Sequence, residues 1–133
     1  MKGKKKWLLL LIIPVVFVII ILSFIGIILG KMKKQLGRID ATPVDISQVA
    51  DGVYMGKSET ELVKVAVNVT VKDGEILNID ILKHECGKGK PAEHIIDSII
   101  QENSVEVDAV SGATVSSAVI QDAVRTALRK GMK

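Results

Sequence analysis

A chain of 133 residues allows one modest folded domain and little else. Eight of its 18 Lys and Arg residues precede position 41, and residues 41–133 carry ten basic against 14 acidic side chains, so the clustered base of a nucleic-acid-binding domain is excluded. Cys86 is the only cysteine, which leaves no CxxC pair, no haem-attachment motif and no internal disulfide, and makes a free thiol the default.

Residues 1–6 form a basic flank with Lys2, Lys4, Lys5 and Lys6. No charge occurs from Trp7 to Leu29. As a helix this stretch spans about 35 Å, enough for a bilayer core. Trp7 stands at its edge, where indole favours the interface, and Pro14 is tolerated within lipid. A cleaved signal peptide is the rival. Its apolar region would be shorter, and Gly26-Ile27-Ile28-Leu29-Gly30 is a poor cleavage site. The expectation is a retained transmembrane helix over residues 7–30. Charge hardly decides its orientation, because four Lys on one side face three Lys and Arg38 on the other. Residues 31–50 read as a juxtamembrane linker whose lysines meet anionic lipid headgroups. The folded domain is expected over residues 51–133.

Gly52 to Lys57 reads as a short strand. From Leu62 to Lys72, Val63, Val65, Val67, Val69 and Val71 alternate with mostly polar residues, the pattern of a sheet with one buried face. A second such strand runs from Glu75 to His84, with Leu77, Ile79 and Ile81 on one face. Parity sets the expected hairpin. A three-residue loop, Lys72-Asp73-Gly74, places Val69 opposite Leu77, Val67 opposite Ile79 and Val65 opposite Ile81, which keeps the apolar faces together. His84 to Pro91 is a Gly/Lys-rich loop, more simply a solvated turn than a ligand contact. Pro91 suits a first helical turn, Ile95, Ile96, Ile99 and Ile100 make an apolar stripe, and Asn103 can end that helix in the left-handed region. Val105 to Val107 reads as a further short strand. The last helix presents Ile120, Ala123, Val124, Ala127 and Leu128 on one face and stops at Gly131. Arg125, Arg129 and Lys130 lie toward its C-terminus, where positive charge is favoured. The expected fold class is α+β: an antiparallel sheet of three or four strands packed on two helices, preceded by one transmembrane helix.

The stretch from Asp108 through Ser111-Gly112-Ala113-Thr114 to Ser116-Ser117 joins that short strand to the last helix. Gly112 permits a positive φ or a close approach by a ligand. Thr114, Ser116 and Ser117 place hydroxyls where the helix begins, as preferred N-caps do. The free amides and dipole of a helix N-terminus also suit phosphate. Local physics alone leaves open an ordinary capped helix and an anion site.

This stretch resembles the flavinylation motif of FMN-binding domains. The family includes the C subunit of the sodium-pumping NADH:quinone oxidoreductase, the G subunit of the Rnf complex and small membrane-anchored flavoproteins. The resemblance covers roughly residues 50–130. It implies FMN joined covalently through a phosphoester bond to Thr114, with Ser111, Gly112, Ala113, Ser116 and Ser117 around the cofactor and Asp108 in the pattern read by a separate FAD-dependent flavin transferase. It also implies that the loop after the second long strand, with His84 and Gly89, lies near the flavin. The implied protein is a cell-membrane, single-pass, extracytoplasmic flavoprotein. It relays electrons between a membrane donor and an outer acceptor and has no catalytic residue of its own. The chain is close to a minimal domain, so a stand-alone carrier is as consistent as a complex subunit. The alternative is an anchored structural or interaction domain that binds FMN loosely or not at all, and a small flavin reductase is a weaker third reading. Tyr54 is the only aromatic residue after the apolar segment, so stacking on the flavin is scarce and a covalent tether would raise its local concentration.

Overall fold

The computed structural model describes residues 2–85 and 90–133. The chain divides into two compact units, Met1–Lys34 and Gln35–Lys133. Helix α1, Lys2–Leu36, runs through Pro14 and is long and apolar enough to cross a membrane. Its apolar side chains are exposed, as a lipid-facing helix requires. The helix is consistent with a single-pass membrane anchor.

The second unit is α+β. Strands β1 (Gly52–Glu59), β2 (Lys64–Lys72) and β3 (Glu75–Glu85) form an antiparallel sheet in that order. The alternation in β2 works as its sequence predicts: Val65, Val67, Val69 and Val71 are all buried. Two helices cover this face, α2 (Ile95–Glu102) against β3 and α3 (Thr114–Lys130) against β1 and β2. A 3₁₀ turn, Lys90–His94, leads into α2. Ile95, Ile99, Val119, Ile120, Val124 and Leu128 complete a core of aliphatic side chains.

Gly56 sets how closely α3 lies on β1. A Cβ there would stand 1.8 Å from the Ala123 carbonyl oxygen and 2.7 Å from the Ala127 amide. Toward the C-terminal end, Gly131 abuts the Tyr54 ring. Toward the N-terminal end, the Ser58 hydroxyl donates to the Asp122 carboxylate. Helix α3 therefore runs antiparallel to β1.

The structure corrects the expected hairpin. Lys72 pairs with Glu75, so the loop has two residues, Asp73 (φ 53°) and Gly74 (φ 76°). Positive φ at both is the signature of a type I′ turn, whose twist suits a hairpin and which favours Asp-Gly. Irregularities between Thr70 and Val71 and between Ala66 and Val67 then reset the parity. Val69 pairs with Ile79 and Val67 with Ile81, while Leu77 and Leu82 are skipped and remain exposed. Val65 pairs with His84. Asn103 ends α2 in the left-handed region, as expected, and its side chain accepts from the Ile76 amide and donates to the Gly74 carbonyl. The short strand expected at Val105–Val107 does not form, because its carbonyls are taken by a side chain of α3.

The segment before β1 is stitched to the C-terminal end of α3. Ile46 and Val49 join the core, the Ala50 amide donates to the Gly131 carbonyl, and Val49 pairs with Met132. Arg129 reaches the Asp40 carboxylate at 3.0 Å and the Thr42 carbonyl at 3.1 Å.

Two tests follow from this packing. Gly56→Ala is expected to cost about 3 kcal/mol, the upper range for overpacking, because backbone rather than a pliable side chain blocks the Cβ. For a domain of this size that lowers Tm by 10 °C or more, roughly; an unchanged Tm would contradict the close approach. The second test is acidification. Hydrogen bonds from the Thr42 hydroxyl and amide, then Arg129, hold the Asp40 carboxyl below its ordinary pKa, and the Ser47 hydroxyl and amide do the same for Asp45. A lowered folded-state pKa contributes stability that is complete above the unfolded value and is lost as pH falls through the folded one. Amide protection at Thr42 and Ser47 should therefore fall between about pH 5 and pH 2, with protection in β2 retained longer.

Candidate functional site

The site is built at the N-terminus of α3. The Ala113 amide donates to the Val110 carbonyl at 3.0 Å and closes a turn through Ser111 and Gly112. Gly112 has φ 77°, and among the described residues, its chain neighbours aside, no heavy atom lies within 4 Å of where its Cβ would stand. Glycine is favoured here for its backbone angle, not for lack of space. Ser111, Gly112 and Thr114 are exposed, whereas Ala113, Ser116 and Ser117 are buried.

The helix begins at Thr114 with Ala113 as its cap, so no side chain caps its first turn. The amides of Thr114, Val115 and Ser116 thus have no acceptor among the described residues, while that of Ser117 donates to the Ala113 carbonyl. An anion beside the Thr114 hydroxyl would meet these free amides and the positive end of a 17-residue helix. A phosphate group fits this arrangement. The Ser117 hydroxyl is used internally: it accepts from the Val110 amide at 3.0 Å and donates to the Ala113 carbonyl at 2.8 Å.

Ser117 is the first rung of a ladder that the sequence reading did not reveal. One and two turns on, Gln121 and Arg125 face the same way. The Gln121 side-chain amide donates to the carbonyls of Val105 at 3.0 Å and Val107 at 2.7 Å. The Arg125 guanidinium, 4% exposed, makes two hydrogen bonds to one oxygen of Glu106. Arg125 therefore turns inward, unlike Arg129 and Lys130, which serve the C-terminal end of the helix. The i, i+4, i+8 spacing of Ser117, Gln121 and Arg125 was visible in the sequence as a polar line along one side of the helix. Together these residues hold 105–113 against α3 and present the turn at Gly112. Asp108 is exposed within this held segment.

His84 lies toward the same end of the sheet as the first turns of α3. It pairs with Val65, which pairs with Ser58, the residue bonded to Asp122 of α3. Its Nδ1 stands 2.9 Å from the Glu93 carboxylate, and its side chain is 2% exposed. Its other ring nitrogen, Nε2, is buried with no hydrogen-bond partner among the described residues. Gly89 and Cys86 lie outside the described residues.

The family model described as FMN-binding domain matches residues 62–129, more than half of the chain. The match begins just before β2 and ends in the last turn of α3. It takes in His84, the segment held by the ladder and the turn before Thr114.

Replacing Gln121 by Leu keeps the volume and removes both donors. About 1–3 kcal/mol of stability should be lost through the two abandoned carbonyls, with amide exchange accelerating over 105–113 before it does in the sheet. Uniform acceleration across the domain would show that the ladder does not act locally.

Proposed function

The chain belongs to the FMN-binding domain family, and from that premise we propose that it is a membrane-anchored, extracytoplasmic flavoprotein that carries FMN on Thr114 through a phosphoester bond and relays electrons. One observation carries the covalent assignment. Thr114 is exposed at the first position of a helix whose opening amides have no side-chain cap. A singly charged phosphodiester at its Oγ would supply the missing acceptor and interact with the helix dipole.

The remaining residues have supporting roles. Gly112 makes the turn, and among the described residues nothing crowds its outer side. Ser117, Gln121 and Arg125 keep the turn in place. Among the described residues no side chain holds the Thr114 hydroxyl as a general base would, so activation of that hydroxyl is assigned to a separate FAD-dependent flavin transferase. In that transfer the Thr114 oxygen forms a bond to the FMN-side phosphorus of FAD. The pyrophosphate bond breaks, AMP leaves, and the hydroxyl proton goes to a base of the transferase. When bound, the flavin supplies the redox chemistry, and this chain supplies its place and its electrostatic surroundings. The apolar α1 supports an anchored protein, and the domain on the outer side is the orientation that suits a relay from a membrane donor to an external acceptor.

Co-expression of the full chain with an active flavin transferase tests the reading by intact mass. The expected result is a gain of one FMN less water, kept in Thr114→Ser and lost in Thr114→Ala. An unmodified chain beside a modified control substrate would instead favour an anchored domain that binds FMN loosely or not at all.

A further inference from the structure

Resting on Thr114 as the attachment point, we infer that the chain holds FMN by its phosphate end and gives the isoalloxazine no aromatic wall. The ring then stays fluorescent and mobile, and its faces are left for a redox partner to cover. The inference comes from the place of one residue. Within residues 35–133, Tyr54 is the only Phe, Tyr or Trp. A second aromatic ring is the specific wall a protein can offer a flat π-system, through offset stacking or edge-to-face contact. Whether this chain offers one therefore depends on where Tyr54 stands.

Tyr54 is committed to the far end of α3. Its hydroxyl donates to the Ala50 carbonyl at 2.7 Å. Its ring lies against Gly131, where a Cβ would stand 2.3 Å from a ring carbon. Gly131 has φ −97°, an angle open to any residue, so glycine there makes room for the ring rather than for a turn. Gly131 caps the C-terminus of α3, and Thr114 is the first residue of the same helix. The 17 residues from Thr114 to Lys130 put about 24 Å of helix between the two ends. An FMN stretched from the Thr114 oxygen ends short of that distance.

The groups nearer Thr114 do not replace it. The His84 side chain is 2% exposed and held at Nδ1 by Glu93, so its ring is turned into the protein. At the attachment point Ser111, Gly112 and Thr114 are exposed, and Val110 and Val115 are half-buried. These are small or short aliphatic side chains. They fix the phosphate end through the helix amides and leave the ring to turn on its ribityl chain. Electron transfer falls steeply with distance, so an uncovered ring suits direct contact. A partner that lays an aromatic side chain or a flat redox group on the isoalloxazine supplies the wall this chain lacks.

Time-resolved fluorescence of the full flavinylated chain tests this. An excited flavin in contact with tyrosine or tryptophan takes one electron from that side chain, returns it, and loses its emission. The chain used carries Trp7→Phe, which leaves Tyr54 as its only such donor. The expected lifetime is that of free FMN, and adding Tyr54→Phe leaves it unchanged. The anisotropy should fall mostly before the domain tumbles. A lifetime shortened in the Trp7→Phe chain, or an anisotropy that decays only with the domain, would overturn the inference. Absence of covalent flavin by intact mass would instead defeat the attachment reading, so the two failures are distinct.

Discussion

The backbone contact between Gly56 and α3 is the constraint on which the unit depends. With no side chain at position 56, the helix backbone comes down onto β1 at Ala123 and Ala127. That closeness lets short aliphatic side chains fill the core without a large aromatic residue. It also fixes the course of the helix along the strand. One end of α3 then receives the segment before β1. The other end begins at Thr114, and among the described residues no side chain caps its first turn.

The sequence made the strands and the motif legible for different reasons. Alternation in β2 reports burial directly, since each buried Val is two residues from the next. Gly112 could be read as a turn glycine, and its φ of 77° agrees, whereas Thr114 was singled out by the family resemblance, since local physics left an ordinary capped helix open. The hairpin register was not legible. Parity assumes a regular ladder, and the bulges at Leu77 and Leu82 restore the apolar match after a two-residue turn. Val105 and Val107 looked like a strand because they alternate with polar residues, but their carbonyls bond the Gln121 side chain and the Val107 amide turns back to the Val105 carbonyl. Ser117 was counted among the hydroxyls around a cofactor, while its own hydroxyl bonds the loop that carries the turn. Local propensity names a hydroxyl's possible uses; only the tertiary partner says which one is taken.

The polar ladder and the free helix end answer different needs. Ser117, Gln121 and Arg125 satisfy the backbone and the Glu106 carboxylate of a segment with no sheet to join. Among the described residues the first turn of α3 has no such partner. A protein that binds phosphate with backbone amides needs this division, because a serine or aspartate cap would compete for the same donors. In the proposed reading, the helix supplies the anion site, Thr114 supplies the covalent link, and the ladder holds the turn that presents it.

The central claim is a phosphodiester at Thr114, and ³¹P NMR of the flavin-loaded protein addresses it most directly. A phosphomonoester, as in FMN held without a covalent bond, has a second ionisation near pH 6, roughly, and its signal moves as it titrates. A phosphodiester has no such ionisation. The account predicts one phosphorus signal that stays in place between about pH 5 and pH 8. A signal that titrates near pH 6 would mean a free phosphate end and would contradict the attachment.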